Sequence, residues 1–230
     1  ITIDSGSLSN RSGQIIQAGT GDTHIAAAGA LDNSAGLIAS NGQNLDLQAA
    51  SITNTAGKIE HAGTGTLSMA GGSYNGANGQ ITANGVLAVA MSGAFNQDGG
   101  TTYAQQINLS AGSLSNQGGS IVQAGSGTTT LAVGGLMNNN AGTIASNGPI
   151  AATAGSMSNQ GGTLQAAGSS DLSLVVASQL DNSAGGKILA GGNTTLAAGS
   201  LNNNAGSVTA VASCQRLAPS VAAASSISVS

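Results

Sequence analysis

The hexapeptide LDNSAG stands at residues 31–36 and returns at 180–185, and looser copies lie at 8–13 (LSNRSG), 52–57 (ITNTAG), 114–119 (LSNQGG), 157–162 (MSNQGG) and 201–206 (LNNNAG). Anchoring each copy on the apolar residue two places before its Asn gives Leu8, Leu31, Ile52, Tyr74, Phe95, Leu114, Met137, Met157, Leu180 and Leu201. The steps between anchors are 23, 21, 22, 21, 19, 23, 20, 23 and 21 residues. A tandem period of about 21 residues belongs to solenoids, in which a unit too small to bury its own apolar face stacks on its neighbours.

Three columns follow each anchor. The first is Asn10, Asn33, Asn54, Asn116, Asn139, Asn159, Asn182 and Asn203, with Gly76 and Gln97 as exceptions. The second is Gly13, Gly36, Gly57, Gly79, Gly100, Gly119, Gly142, Gly162, Gly186 and Gly206. The unit beginning at 180 needs one extra residue to place Gly186. Two positions after the Gly stand Ile15, Ile38, Ile59, Ile81, Thr102, Ile121, Ile144, Leu164, Ile188 and Val208, aliphatic except for the threonine. A further apolar pair alternates with polar or small residues, as in Leu45-Asp46-Leu47, Leu67-Ser68-Met69, Leu87-Ala88-Val89, Ile107-Asn108-Leu109 and Leu172-Ser173-Leu174. Period-two alternation means strand, with successive side chains on opposite faces.

Each unit is therefore expected to hold three strands of three to five residues, divided by Gly and Asn. Such units wind into a parallel β-helix of about ten coils, a rod roughly 45–50 Å long at the spacing between paired strands. In that winding the Ile column fills the interior. The Gly column permits a corner that needs positive φ or close backbone approach. The Asn column sits at the turn, where the side chain bonds the backbone or its counterpart one coil away. AGTG (18–21, 62–65) or AGSG (124–127) in place of ASNG (39–42, 145–148) reads as an alternative second corner. Tyr74, Phe95 and Tyr103 fall in the units that lose the Asn, which marks 74–106 as the most irregular stretch of the surface. The repeat domain is assigned to 1–211. After Val211 the pattern fails, and 212–230 is read as a cap or a disordered tail, with Cys214 exposed in the second case.

Composition narrows the function classes. Charged residues make up 5% of the chain, against roughly 25% in an ordinary globular domain. The chain is nonetheless 40% hydrophobic, so the signature of disorder is not met. The net charge of −4 comes with no Lys/Arg cluster, which argues against a nucleic-acid partner. No apolar run approaches the ~18 residues of a membrane-spanning helix. The opening ITIDSG, without Met, basic region or apolar stretch, gives the expectation of a piece from a longer protein. A single Cys allows no internal disulfide.

The pattern L-x-N-x-x-G, then x-I-x-A, then L-x-L-x-A, as in LDNSAGLIASNGQNLDLQAA (31–50) and LSNQGGSIVQAGSGTTTLAV (114–133), resembles the central repeats of filamentous haemagglutinins over residues 1 to about 211. The resemblance implies an all-β, right-handed parallel β-helix shaft within a very large protein. It implies export from a Gram-negative cell by two-partner secretion, hence an outer-membrane secretion partner. It also implies a place on the bacterial surface and a role in adhesion or contact-dependent toxin delivery, with a receptor on a host or bacterial cell. The family's secretion domain and toxin-like terminal domain have no counterpart in these residues, so the expectation is a shaft segment whose partners are the adjoining coils of the same polypeptide.

No catalytic, cofactor or metal site is expected. Enzymes built on β-helices need paired carboxylates or a base beside a carboxylate in a cleft. Asp32 and Asp181 share a column but lie seven coils apart, roughly 34 Å. Lys58, Glu60 and His61 form the densest polar cluster. Lys58 and Glu60 flank an inward Ile59 and read as an exposed charge pair, with a ligand site involving His61 as the sharper reading. His24 reads as a corner or surface residue. GTGD (19–22) lacks the nine-residue recurrence of calcium-binding glycine-rich repeats. The Asn column reads either as a polar stripe for an extended glycan or as a hydrogen-bonded ladder, and turn chemistry favours the ladder.

Overall fold

A computed structural model describes residues 1–217, 221–222 and 227–229, with side chains described through Ser213. All of its strands join one sheet, and every pairing in it is parallel. Each strand pairs with the equivalent strand of the next unit: Ile38 lies over Ile15 and under Ile59, and Leu47 lies over Ile25 and under Met69. This is a parallel β-solenoid of about ten turns.

Most full turns hold two strands, not the expected three. A short one, such as Leu37–Ser40, follows the Asn-Gly corner, and a long one, such as Leu45–Thr53, carries both the L-x-L pair and the next anchor. The third corner is a bend inside the long strand. Its pairing register slips there, for example between Ala27 and Ala30 and between Val176 and Gln179. Small residues at the bend let the backbone turn without leaving the ladder of hydrogen bonds, so hydrophobic alternation alone could not reveal whether the strand was broken.

The interior is the stack of columns read from the sequence. Ile38, Ile59, Ile81, Ile121, Ile144, Leu164, Ile188 and Val208 are buried, as are the anchors from Leu31 to Leu201. Ile15 and Leu8, in the first turn, are half-buried. Burying one such side chain stabilises the fold by roughly 1.5–3 kcal/mol. Because the same column recurs in each turn, the gain is spread evenly along the axis.

The 74–106 zone departs from expectation. Tyr74 and Phe95 are inside, 1% and 0% exposed, with ring centroids 4.6 Å apart and planes 18° from parallel. Only Tyr103 lies on the surface. Gln80–Asn96 and Thr101–Ser115 run as unbroken strands through the place where other turns form a second corner, with a slip in their mutual register there between Ala104 and Gln106. Beyond Val211, the backbone of Ser213–Leu217 pairs with Asn193–Ala197, Val221–Ala222 with Leu201–Asn202, and Ile227–Val229 with Val208–Ala210. The side chain of Cys214 lies outside the described residues.

Candidate functional site

The chemistry-bearing residue that recurs most often is the corner asparagine, and its geometry is nearly the same at each turn. In the Asn-Gly corner of the second unit, Gly36 N donates to Asn33 O at 3.0 Å, closing a tight turn in which Ala35 takes φ +52°. The Asn33 amide nitrogen donates to Gly36 O (3.2 Å), to Asn54 Oδ1 of the next corner (2.7 Å) and to Lys58 O (3.0 Å). Its Oδ1 accepts from Asn10 Nδ2 at 2.7 Å. The side chain is buried, with both its nitrogen and its oxygen partnered inside the protein.

The column glycine serves close approach, not positive φ. A Cβ at Gly36 would stand 2.1 Å from Asn10 O, and one at Gly142 would stand 2.0 Å from Asn116 O. Positive φ falls on the residue before it: Ser12, Ala35, Ala56, Asn78, Gly99, Gly118, Ala141, Gly161 and Ala205. The extra residue of the unit at 180 is absorbed by two such residues in a row, Ala184 (+53°) and Gly185 (+85°). The turn therefore still ends on Gly186, whose carbonyl accepts from Asn182 Nδ2 at 3.1 Å.

Corner by corner the amides form a ladder. Asn116, Asn139, Asn159 and Asn182 donate upward to Asn139, Asn159, Asn182 and Asn203 at 2.8, 2.7, 2.7 and 2.6 Å. Asn10 and Asn33 do the same toward Asn33 and Asn54. These residues are all buried, so the column offers no polar stripe to a glycan. That reading is overturned by burial.

The two exceptions in the column work together. Gly76 has no side chain, and the Tyr74 ring fills the place: a Cβ at Gly76 would lie 2.2 Å from the Tyr74 hydroxyl oxygen. That oxygen accepts from Asn54 Nδ2 at 3.3 Å, the bond an asparagine Oδ1 accepts elsewhere. Gln97, one methylene longer than Asn, turns its amide back by one corner. Its Nε2 donates to Gly79 O and Thr101 O, both at 3.1 Å. An asparagine at position 76 would address the same two carbonyls. Tyr74 thus supplies the acceptor and Gln97 the donor of one missing amide. Desolvation of the enclosed phenol pushes the pKa of Tyr74 upward, against the opposing effect of the Asn54 hydrogen bond.

The second corner has its own buried polar residues, which sequence reasoning missed. The fourth position of the short strand faces inward. Ser40 there shares a 3.0 Å hydrogen bond with Thr23 Oγ1 and accepts from Gly42 N. Ser146 repeats this with Thr129 and Gly148 N. Gln123 accepts from Ile107 N at 2.8 Å and donates to Gly125 O and Gly127 O. The signal was the alternation of x-I-x-S, which places the Ser on the side of the Ile.

His61 occupies that same inward position. It is 1% exposed and donates from Nε2 to Gly42 O at 3.1 Å. The expected surface cluster therefore dissolves: Lys58 is exposed, Glu60 is half-buried on the outer side, and His61 is inside. Lys58 and Glu60 form no ion pair among the described residues, where Arg11 pairs with Asp32 at 3.0 Å and the His24 ring stands 2.7 Å from Asp46 and 3.7 Å from Asp4.

His24 does lie on the outer face, in register with Asp46 and Ser68. Asp46 stands between the other two: it accepts from His24 Nδ1 and Gln48 Nε2 through one oxygen and from Ser68 Oγ through the other. In a Ser-His pair the imidazole itself takes the proton of the serine hydroxyl. Here the carboxylate separates the two, so the arrangement does not activate Ser68.

Asp22 and Asp171 link successive turns. Asp22 accepts from Asn44 N and Nδ2, and Asp171 from Asn193 N and Nδ2. The Ser34 hydroxyl, helped by Ser34 N–H and Arg11 against partial burial, holds Asp32 below the ordinary carboxylate range. Burial pushes Asp181 up, but bonds from Ser183 and Gln160 outweigh it and bring it below that range. Among the described residues no three His, Cys, Asp or Glu side chains are grouped to hold a metal ion.

With this geometry in place, comparison with known proteins is specific. A family model described as haemagglutinin repeat matches residues 1–35, 26–68, 62–135, 122–184 and 171–213. Together these segments cover residues 1–213. Searches of curated proteins and of solved structures give no match.

Proposed function

Because the chain belongs to the haemagglutinin repeat family, we propose that this adhesin-like shaft forms part of a large secreted filament on a bacterial surface, exported with an outer-membrane secretion partner, and that it presents distal modules for adhesion or toxin delivery. The observation that carries the reading is where the recurring polar groups go. The corner amides and second-corner hydroxyls bind one turn to the next, so the repeat spends its chemistry on its own axial continuity. On this reading the segment is a spacer and not an enzyme.

Removing whole turns tests this. Deleting residues 137–179 joins Leu136 to Leu180 and takes out two complete units. The filament should shorten by about 10 Å while secretion and adhesion or delivery persist. A folded, secreted filament that has lost its activity would contradict the spacer role.

A second reading is that the shaft itself contacts a glycan or protein. It now rests on Tyr103, an aromatic ring 44% exposed on the outer face of the short strands. Tyr103→Ala would then reduce binding to a glycan array, and unchanged binding removes that support.

A further inference from the structure

In corners two, three, six, seven, eight and nine the side-chain amide nitrogen makes the same three contacts. It donates to its own glycine carbonyl, to the side-chain oxygen of the next corner, and to the carbonyl one residue past the next glycine. By that template, corner five would direct a donor at Gly100 O, Asn116 Oδ1 and Ser120 O. Its residue is Gln97, whose Nε2 has turned back to Gly79 O and Thr101 O. Both of those partners are carbonyl oxygens, so the amide cannot be reversed without setting oxygen against oxygen.

The consequence reaches the next corner. Asn116 Oδ1 and Gln97 Oε1 are both fully enclosed, and no donor of the described residues reaches either atom. An enclosed acceptor without a donor costs about 1–3 kcal/mol, and native structures meet such groups with protein or bound water.

We infer that the step between corners five and six binds one water molecule at the place taken elsewhere by the asparagine amide, donating one hydrogen to Asn116 Oδ1 and the other to a neighbouring oxygen among Gln97 Oε1, Gly100 O and Ser120 O. The chemistry points to a neutral donor. The partners are uncharged oxygens, and the carboxylate of Asp98, next to Gln97 in the chain, accepts through Oδ1 from Ser115 Oγ and Gln117 N. A bare cation would sit there without a counter-charge, which is costly in an interior. An amide NH₂ group and a water molecule are of similar size, and a buried water needs two to four polar partners.

Crystals of the wild-type chain that diffract well enough to place ordered water decide the matter. One peak is expected within about 3 Å of Asn116 Oδ1, and thallium-soaked crystals should give no anomalous signal there. In Gln97→Asn the shorter side chain takes the ordinary upward orientation, so its own amide should replace the peak. Three results overturn the inference: no peak beside Asn116 Oδ1, a Gln97 amide turned up onto that atom, or a thallium signal, which would make the ligand a monovalent cation. A peak that persists in a folded Gln97→Asn protein also overturns it. Where that variant does not fold, the two wild-type maps suffice.

Discussion

Corners six to nine and corners four and five face the same problem and meet it differently. The first group uses one residue type in register, so each Asn amide satisfies the next and the pattern repeats without adjustment. The second group has lost the Asn at position 76 and divides its work between an aromatic two residues earlier and a glutamine one turn later. The substitution adds apolar contact, since Tyr74 stacks on Phe95. It also moves the interruption of the ladder up by one step, to Asn116. A repeat column is thus a set of hydrogen-bonding positions, and residues of other shapes can fill them where neighbouring turns cooperate.

The comparison breaks first if the apolar column is not common to both regions. Ile81→Asp, beside the substituted corner, and Ile188→Asp, beside the regular ones, each put an unpaired charge into the core. Each should cost about 5 kcal/mol or more and lower the urea midpoint to a similar extent. A mild effect at either site would show that the column does not carry the stack there. In a solenoid such losses stay local to adjoining turns, so hydrogen exchange should place them within one or two turns of the mutation.

The ladder itself should separate the regions. Asn159→Ala removes an amide whose two hydrogens are shared among three acceptors and leaves Asn139 Nδ2 without its upward acceptor. A loss of about 3–5 kcal/mol is expected. Gln97→Ala removes two donated bonds, for a loss of about 2 kcal/mol. Equal losses would mean that the regular ladder has no advantage over its substitute.

Tyr74→Phe sharpens the account through pH. The phenol is neutral in the folded protein because burial raises its pKa, whereas an unfolded tyrosine ionises near pH 10. Above that pH the unfolded state releases a proton that the folded state keeps, so stability is complete below about pH 10 and falls as pH rises beyond it. Tyr74→Phe should cost about 1 kcal/mol at neutral pH, through the lost Asn54 bond, and flatten the alkaline decline. An unaltered decline would place Tyr74 outside the core. The smallest effect belongs to the outer face: Asp46→Ala, at a half-buried pairing with His24, should change stability by about 1 kcal/mol.

Much of this was legible in the letters. The 21-residue recurrence fixes the winding, and the Asn, Gly and Ile columns name the corner, the close approach and the core before any coordinates exist. Four things were hidden for physical reasons. Alternation reports which face a side chain takes but not whether the backbone bends, so the two outer strands of each unit looked separate. An aromatic in a chain of small residues reads as an exception, although Tyr74 fills a place that Gly76 leaves open. His61 sits beside Lys58 and Glu60, and the charged neighbours drew attention outward while its position opposite Ser40 set it inside. The direction of the Gln97 amide depends on an absence one turn earlier, which no single repeat contains.

The central claim is that enclosed side-chain amides link the corners and that Gln97 belongs to the same system with its direction reversed. Side-chain amide hydrogen exchange, followed by NMR, tests it directly. The Nδ2 hydrogens of Asn33, Asn139 and Asn159 and the Nε2 hydrogens of Gln97 should exchange as slowly as the backbone amides of the short strands, with Gln97 showing contacts to Gly79 and Thr101 and none to Asn116. Rapid exchange of the asparagine amides, or a Gln97 amide found against Asn116, would contradict it.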